Sequence, residues 1–446
     1  MARLDLSREF VGADFGDARL SRRLVALAQQ VSREPDLSFP QLLGDSELEA
    51  AYRFFGNDRV STRSILGPHL EATRKRIGKG RCIVAHDTTT LSFRSGGNRR
   101  GLGLGSKGNQ VLHAHVSLAI DELKNPHGVL GLKTYQGRAA TEQSDRWLQQ
   151  ACRVEDELRG GNVIHVMDRE ADSAKLLSAF QQQGRHFVVR AGHDRVLWGE
   201  KGATTKLYDV LPSKVLARRE VELAPRPPHR RGVKAKQVHP TRTGRTTTLC
   251  MAACRHSIPA VKGGSPTRFE VNVVHVWEDS PPSGEPPVRW VLLTSEPVDS
   301  EEQILEIVDC YRARWVIEEF FKALKSGCAI EKRQLESRES LENALGLMLP
   351  IAWGLLRLRS ALRATPEASG HSLLTPIQLA LLRTEGRNKL PNRPTVQQLV
   401  YAIAAMGGHL KRNGDPGWQT LARGYERLLT LTRGFTLAGN MGPQEM

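Results

Sequence analysis

Residues 311–325, YRARWVIEEFFKALK, combine an apolar helical pattern with a row of charged side chains. At about 100° of rotation per residue, spacings of three and four keep side chains on one face of a helix. One face of the predicted helix therefore carries five polar residues, namely Tyr311, Arg314, Glu318, Lys322 and Lys325. The opposite face is apolar and is predicted to anchor the helix in a core.

A single carboxylate among cations has two interpretations. In an ordinary amphipathic helix, Glu318 would form ion pairs with neighbouring Arg and Lys side chains. The same arrangement also suits a helix that holds a metal ligand next to a phosphate chain. Further carboxylates elsewhere in the chain favour the second interpretation.

Length and charge narrow the class of protein. The 446 residues include 64 Lys and Arg against 48 Asp and Glu, which gives a net charge of +16. Such a positive net charge favours a polyanionic partner, because each cation that neutralises a phosphate releases counterions. Nucleic acid is the leading candidate. A membrane surface is less favoured, since we find no basic amphipathic anchor and no signal-peptide pattern.

Two further features indicate an ordinary soluble protein in a reducing cytoplasm. The longest nearly apolar run, residues 344–356, contains Pro350 and is shorter than the roughly 20 residues of a membrane span. We predict that it forms a buried helix. The six scattered cysteines do not resemble a secreted disulfide framework, and Cys250 and Cys254 lack a partner pair at zinc-site spacing.

Residues 1–70 are predicted to form a helical N-terminal domain. Apolar residues recur at spacings of three and four between Leu20 and Val31, while arginines face elsewhere. Short basic helices around a small core suit docking into a DNA groove. A solvated helical cap is the alternative.

Two short apolar strands each end near an aspartate. Residues 81–85 (RCIVA) precede Asp87, and residues 162–167 (NVIHVM) precede Asp168. Strands mixed with helices in this order imply an α/β domain with a central sheet, and acidic groups at strand ends imply a site on that edge. The glycines at 103, 105 and 108 match a dinucleotide fingerprint only superficially, because a strand follows them. No organic cofactor is predicted.

The second half of the chain changes character twice. Residues from about 195 to 300 are rich in Thr, Val, Arg, Pro and Gly and are predicted to be a β-rich insertion within a domain spanning 71–365. Beyond a Pro- and Gly-containing boundary, residues 366–446 are predicted to be a helical C-terminal domain. A stripe from Trp418 to Leu428 in its last helix either packs on the same chain or mediates self-association.

Asp87, Asp168 and Glu318 form a candidate metal-binding set. Carboxylate oxygens suit Mg²⁺ or Mn²⁺, which complete their shells with water and substrate phosphates. Two such ions roughly 3.5 to 4 Å apart activate an attacking hydroxyl and stabilise the leaving oxygen of a phosphoryl displacement. With 48 acidic residues in the chain, spacing alone does not single out this triple.

Short motifs in a consistent order run along nearly the whole chain. A Tyr, two residues, Arg, three residues, Glu, six residues, Lys signature is present from Tyr311 to Lys325. The other motifs are AYRFF at 51–55, DTTTLSFRS at 87–95, VMDREAD at 166–172, FVVR at 187–190, RWVLLTSEPV at 289–298 and GGHLKRNG at 407–414. Together they resemble the insertion-sequence-four family of bacterial DDE transposases.

The resemblance implies an RNase H-like catalytic core with a β-rich insertion, flanked by a helical DNA-binding domain and a helical C-terminal domain. Asp87, Asp168 and Glu318 would be catalytic and would bind two Mg²⁺ or Mn²⁺ ions. Trp290 would stack on a base flipped out beside the cleavage site, unless it is simply a core residue of a strand. Contacts to transposon-end DNA would come from Tyr311, Arg314, Lys322, Lys325 and Arg190. The sequence departs from the family at Leu112 and His113, where the family has paired tryptophans.

The expected function is cut-and-paste transposition through a hairpin intermediate. A homodimer would pair two double-stranded transposon ends and join them to target DNA, at the nucleoid in a bacterial cytoplasm. One alternative is a non-catalytic, transposase-derived DNA-binding inhibitor, which the retained carboxylates disfavour. The other is a metal-dependent nuclease without strand transfer, which Trp290 and the polar row of residues 311–325 disfavour.

Overall fold

The computed structural model describes residues 6–78, 80–93, 98–105, 108–137, 143–158, 160–198, 203–226, 240–259, 268–385, 390–410 and 414–440. A short 3₁₀-helix, Leu6–Phe10, is followed by helices before the first strand. These are α1 (Ala18–Arg33), α2 (Phe39–Leu42), α3 (Asp45–Phe55) and α4 (Thr62–Ile77). The N-terminal region is thus helical, as predicted.

Within the described residues, twelve strands form one mixed sheet. They are β1 (Cys82–Phe93), β2 (Gly103–Leu104), β3 (Gln110–Ile120), β4 (Pro126–Tyr135), β5 (Val163–Met167), β6 (His186–Arg190), β7 (Val196–Trp198), β8 (Thr204–Lys206), β9 (Ala217–Leu223), β10 (Arg245–Pro259), β11 (Arg268–Glu278) and β12 (Arg289–Thr294). The order is β2-β3-β1-β5-β6-β12-β11-β10-β7-β8, with β4 on β3 and β9 on β10. Strand β1 runs antiparallel to β3 and parallel to β5, and β6 is parallel to β5.

The β-rich segment predicted for residues 195–300 is continuous with the central sheet. Strand β12 pairs antiparallel with β6, with Leu292 opposite Arg190 and Thr294 opposite Val188. This pairing satisfies the backbone groups that β6 would otherwise leave unpaired at a sheet edge. The segment therefore extends the sheet and covers no separate core of its own.

Eight further helices are described after β4: α5 (Gln143–Leu158), α6 (Ala174–Gln182), α7 (Glu301–Ala313), α8 (Trp315–Lys322), α9 (Arg338–Ala364), α10 (Pro376–Glu385), α11 (Val396–Met406) and α12 (Trp418–Asn440). Helix α9 contains the apolar run predicted to be buried, and it is long and apolar enough by composition to cross a membrane. In the structure 83% of its apolar window is buried against other elements. It is the central helix of the core.

Helix α9 joins the N-terminal helices to the sheet. The indole Nε1 of Trp353 donates a hydrogen bond to the Pro126 carbonyl at 2.8 Å. The guanidinium of Arg76 lies over the same indole, 4.2 Å from its centre. Gly354 allows Leu6 to contact α9 closely, since a β-carbon there would meet the Leu6 side chain at 2.3 Å.

A buried cluster fixes the first residues of the described chain. His69 Nδ1 lies 2.6 Å from Glu9 Oε2, and the Val129 N–H donates to His69 Nε2 at 3.0 Å. Burial lowers the pKa of His69, so the ring is neutral and carries its proton on Nδ1. Arg76 adds two hydrogen bonds to Glu9, at 2.8 and 3.1 Å.

The apolar stripe of the last helix packs on its own chain. Trp418, Leu421, Tyr425 and Leu428 are all buried. Helix α12 crosses α11 at Gly424, where a β-carbon would lie 1.7 Å from the Ile403 carbonyl oxygen. Beyond this crossing, Phe435 and Leu437 are exposed.

Candidate active site

The two aspartates are brought together by parallel pairing of β1 and β5. In this register His86 lies opposite Met167. Asp87 is the next residue of β1 and Asp168 directly follows β5, so the two carboxylates occupy the same level of neighbouring strands. Both are half-buried. Asp168 also caps the short 3₁₀-helix Arg169–Ala171 by accepting a 2.9 Å hydrogen bond from the Glu170 N–H.

Glu318 reaches this edge from helix α8 through Arg314. The Arg314 guanidinium donates to Asp87 Oδ2 at 3.1 Å and to Glu318 Oε1 at 2.7 Å. Only 9% of its side chain is exposed, so these bonds form in a largely dry environment. One guanidinium therefore links two carboxylates that are 231 residues apart in the sequence.

The negative charge at Asp87 is only partly neutralised. Burial and the nearby charge of Asp168 raise the pKa of Asp87 to about 7, with a smaller contribution from Glu318 in the same direction. The Arg314 charge and a 2.7 Å hydrogen bond from the Thr88 N–H oppose this rise. Three carboxylates with one cation between them favour an additional positive charge at the site.

The described residues do not present a ready-made metal cluster. Among them, no three His, Cys, Asp or Glu side chains are close enough together to hold an ion. The sequence predicted that Asp87, Asp168 and Glu318 meet around metal ions, whereas here Arg314 lies between two of them. The donors are nevertheless hard carboxylate oxygens, the type that Mg²⁺ and Mn²⁺ prefer. The chemistry of the set fits a divalent ion once Arg314 is displaced from at least one carboxylate.

The helix predicted for residues 311–325 is divided into three parts. Helix α7 ends at Ala313, α8 spans Trp315–Lys322, and residues Ala323–Gly327 form a π-helix. The Arg314 N–H bonds to the Tyr311 carbonyl three residues back, which tightens the turn at this junction. A π-helical turn adds a residue and rotates the side chains that follow it.

The two predicted lysines do not face the same place. The Lys325 ammonium donates a 2.7 Å hydrogen bond to the Thr90 carbonyl on β1. Lys322 lies over the Trp315 ring, 5.9 Å from its centre, and lines a cavity that also includes Trp418. The prediction of a single polar face is therefore wrong, because Lys322 at the end of α8 and Lys325 within the π-helix make contacts in different places.

The other predicted DNA contacts lie around one cavity beside Arg314. Trp290 is half-buried and its ring is 5.7 Å from that of Tyr311, edge to face. Arg190, opposite Leu292 in the sheet, also lines this cavity. Tyr311 is buried, and its ring lies 5.8 Å from the Arg314 guanidinium carbon. These four side chains are thus adjacent.

Comparison with known families agrees with this arrangement. Residues 5–60 match the family described as transposase DNA-binding. Residues 78–353, well over half of the chain, match the transposase DDE domain. The chain belongs to the DDE transposase family. Its C-terminal helices α10–α12 lie outside both matches.

Among solved structures, the transposase is similar to the one titled "Cryo-EM structure of piggyBac transposase synaptic complex with hairpin DNA". The two are 10% identical with a TM-score of 0.33. The match covers 90% of this chain and 62% of that one, so this transposase spans less than two thirds of that protein's length.

Sequence reasoning missed a buried hydrogen-bond chain next to the carboxylates of the transposase. Glu155 accepts from His165 Nε2 at 3.0 Å, and His165 Nδ1 lies 2.8 Å from His86 Nε2. His86 Nδ1 lies 2.9 Å from Ser117 Oγ, which accepts from Gln150 at 3.1 Å. Burial lowers the pKa of His86 well below its usual range and that of His165 to about 3.

The donor and acceptor of each hydrogen bond in this series follow from its last acceptor, the Glu155 carboxylate. A carboxylate only accepts, so His165 donates from Nε2 and, being neutral, accepts at Nδ1 from His86. His86 then accepts at its own Nδ1 from the Ser117 hydroxyl. The chain ties β3, β1, β5 and α5 together one residue before Asp87 and three before Asp168. The sequence contained one signal for these bonds, because β1 and β5 each carry a histidine within an otherwise apolar segment.

Proposed function

We propose that this protein is a cut-and-paste DNA transposase of the insertion-sequence-four family, resembling the transposon-five transposase. The carrying observation is the Arg314 guanidinium, which links Asp87 on β1 to Glu318 on α8 beside Asp168. The three carboxylates come from distant parts of the chain, and the charges of Asp168 and Glu318 both raise the pKa of Asp87. The match to the transposase DDE domain spans all three residues.

The proposed architecture has a helical DNA-binding domain at residues 1–70, an RNase H-like core at 71–365 and a helical C-terminal domain at 366–446. Support for the core comes from the strand order β4-β3-β1-β5-β6, in which β1, β5 and β6 are parallel. In such an arrangement Asp87 on the central strand and Asp168 after its parallel neighbour lie at one edge.

In this proposal Asp87, Asp168 and Glu318 would hold divalent ions, which supply Lewis-acid stabilisation of charge on the phosphate oxygens. The remaining work falls to the protein. Arg314 positions the carboxylates before DNA binds and, once released from one of them, is available to a phosphate oxygen. The hydrogen bond from Lys325 to the Thr90 carbonyl holds its ammonium at the edge of β1, within the same site.

The proposed reaction is a series of phosphodiester exchanges. Water attacks the phosphorus at the transposon end, the bond to the 3′-oxygen breaks, and the 3′-hydroxyl is freed. That hydroxyl attacks the opposite strand, releasing flanking DNA and closing a hairpin. A second water opens the hairpin, and the 3′-hydroxyl then attacks a target phosphodiester. Each step exchanges one P–O bond for another and requires no redox partner.

The DNA contacts in this proposal come from two regions. Trp290 would stack on an extruded base, which its half-buried ring beside Tyr311 and Arg190 favours. The N-terminal helices would recognise the inverted repeats. We also propose that two copies pair on DNA in the cytoplasm, with the exposed Phe435 and Leu437 on α12 as candidate contacts.

The test uses duplexes copied from the DNA that borders the gene, incubated with purified protein and Mg²⁺ or Mn²⁺. Nicks at the element boundary, hairpins and joined products are expected. Asp87→Asn, Asp168→Asn and Glu318→Gln should bind the duplex as wild type does and leave it uncut. Wild-type protein that binds these ends without nicking them contradicts the enzymatic proposal and supports a DNA-binding inhibitor. Nicks without hairpins or joined products support a nuclease.

A further inference from the structure

A cavity of about 410 Å³ adjoins Arg314, and Asp87 is not among its lining residues. Its walls come from the turn between β3 and β4, the ends of β6 and β12, the junction of α7 and α8, and the last turns of α9. Cations dominate the lining: Lys124, Arg190, Arg312, Arg314, Arg359 and Arg363 against one carboxylate, Glu319.

Some of these cations are already neutralised within the protein. Arg312 pairs with Asp309 at 3.3 Å, Arg359 pairs with Glu319, and Arg314 pairs with the candidate catalytic carboxylates. In the part of the chain that the structure describes, Lys124 and Arg363 form no ion pair. The two converge on the cavity from elements far apart in the sequence.

Positive charge exceeds negative charge among the residues that line this cavity. Burial lowers the pKa of Lys124, and the charges of Arg312 and Arg363 lower it further, although the Asp309 carboxylate acts in the opposite direction. Burial and the Arg363 charge lower the pKa of Arg359 to about 10, with the Asp415 carboxylate opposing the shift of both arginines. Like charges gathered at a partly dry site repel one another, and a bound anion removes that repulsion.

The backbone also holds Lys124 in an unusual conformation. Its φ of 65° is left-handed, a region that residues other than glycine seldom adopt. The Lys124 N–H bonds to the Asp121 carbonyl at 3.0 Å, and Asp121 in turn accepts from Asn125 at 2.7 Å. A tight turn with two such bonds fixes where the lysine side chain leaves the backbone.

We infer that Lys124 and Arg363, with Arg359, form a binding site for one phosphodiester group of a DNA strand that continues past the carboxylates. A phosphate offers the diffuse negative charge and several acceptor oxygens that an ammonium and two guanidinium groups can share. Trp315, which lines the same cavity and is 54% exposed, provides an aromatic surface next to this site. The inference rests on the proposed function, since it assigns a further part of the same DNA path.

The test measures binding without cleavage, in the Asp87→Asn background and without divalent ions. A series of duplexes from the element's end carries one neutral methylphosphonate, moved one position at a time along each strand. One position near the cleavage site should weaken binding about tenfold, the scale of a lost charge-assisted hydrogen bond. In the Lys124→Gln, Arg363→Gln double variant the same methylphosphonate should have no further effect.

The salt dependence provides a second readout. For the double variant, the slope of log binding constant against log salt should be smaller by about 0.9, the value for one phosphate contact. Arg153→Gln on α5, an exposed arginine that is not part of the cavity, is the matched control and should leave both readouts unchanged. Circular dichroism and melting temperatures confirm that the variants fold.

The outcomes separate this inference from the proposed function. If every methylphosphonate weakens binding by the double variant as much as it does with Lys124 and Arg363 intact, the inference is wrong even when the wild type cuts DNA normally. If inorganic phosphate raises the melting temperature of the wild type through these residues while no DNA position couples, the cavity binds a free anion and the inference is also wrong. If one methylphosphonate position loses its effect in the double variant but the wild type never cuts DNA, the phosphate site is supported and the enzymatic proposal is wrong.

Discussion

Arg314 donates a 2.7 Å hydrogen bond to Glu318, one helical turn further along the chain. Arg314 is the residue that joins α7 to α8, and it holds the Glu318 carboxylate while its other guanidinium nitrogen reaches β1. The arginine therefore acts at the site as an internal cation. Any divalent ion that uses the same oxygens must compete with it.

Replacing Arg314 should strengthen metal binding. In Arg314→Gln the oxygens of Asp87 and Glu318 lose their competing cation, so Mn²⁺ should bind on the order of tenfold more tightly, a change of about 1.4 kcal/mol. The measurement is the rise in melting temperature across an Mn²⁺ titration, which reports binding to the folded state. Glu318→Gln should reduce that rise. An Arg314→Gln titration that matches the wild type would show that the ion binds elsewhere.

The buried histidine chain should be directional. We expect nitrogen NMR to show the proton on Nε2 in both His86 and His165, because the chain ends on the Glu155 carboxylate. His86→Phe leaves two buried partners unpaired and should cost about 2–4 kcal/mol of unfolding free energy. His193→Ala, at an exposed histidine, is the control and should cost little. A proton found on Nδ1 of His165 would overturn the assignment.

Acid should destabilise the docking of the N-terminal helices. Burial alone would raise the pKa of Glu9, but hydrogen bonds from His69 and Arg76 lower it to about 2, below its ordinary 4.5. A depressed pKa gives stability that is present above pH 4.5 and is lost as the pH falls toward 2, about 3 kcal/mol in all. The lowered pKa of neutral His69 acts in the same direction, starting below 6.5.

Unfolding free energies measured across this pH range check the prediction. Glu9→Gln should be less stable than the wild type at pH 7 and should lose less stability between pH 4.5 and 2 than the wild type does. Parallel curves for the two proteins would mean that Glu9 is not the group responsible.

Two glycines in α12 should respond oppositely to alanine. At Gly424 a β-carbon would meet the Ile403 carbonyl oxygen at 1.7 Å, so Gly424→Ala must separate α11 from α12 and should cost about 3 kcal/mol. At Gly434 no atom lies within 4 Å of such a β-carbon, and Gly434→Ala should stabilise by about 0.5–1 kcal/mol. Thermal unfolding and proteolysis of the C-terminal helices measure both effects. Equal responses would exclude a close crossing at Gly424.

Much of the site could be predicted from residue patterns alone. The strands around Asp87 and Asp168 are short apolar runs, and Glu318 lies on an amphipathic stretch, so local periodicity placed each carboxylate on its element. The charge balance predicted a polyanionic partner, and the ordered motifs predicted a DDE transposase, the broader family to which the chain belongs. These properties depend on composition and on near neighbours in the chain.

The partners of each side chain were decided only by the tertiary structure. No local pattern specifies that Arg314 bonds to a residue of β1 as well as to Glu318, or that Lys325 bonds to β1 while Lys322 lies over Trp315. The histidine chain and the cationic cavity likewise combine residues from three or more elements. Such contacts arise when strands and helices pack, because burial then forces each polar group to find a partner wherever the fold supplies one.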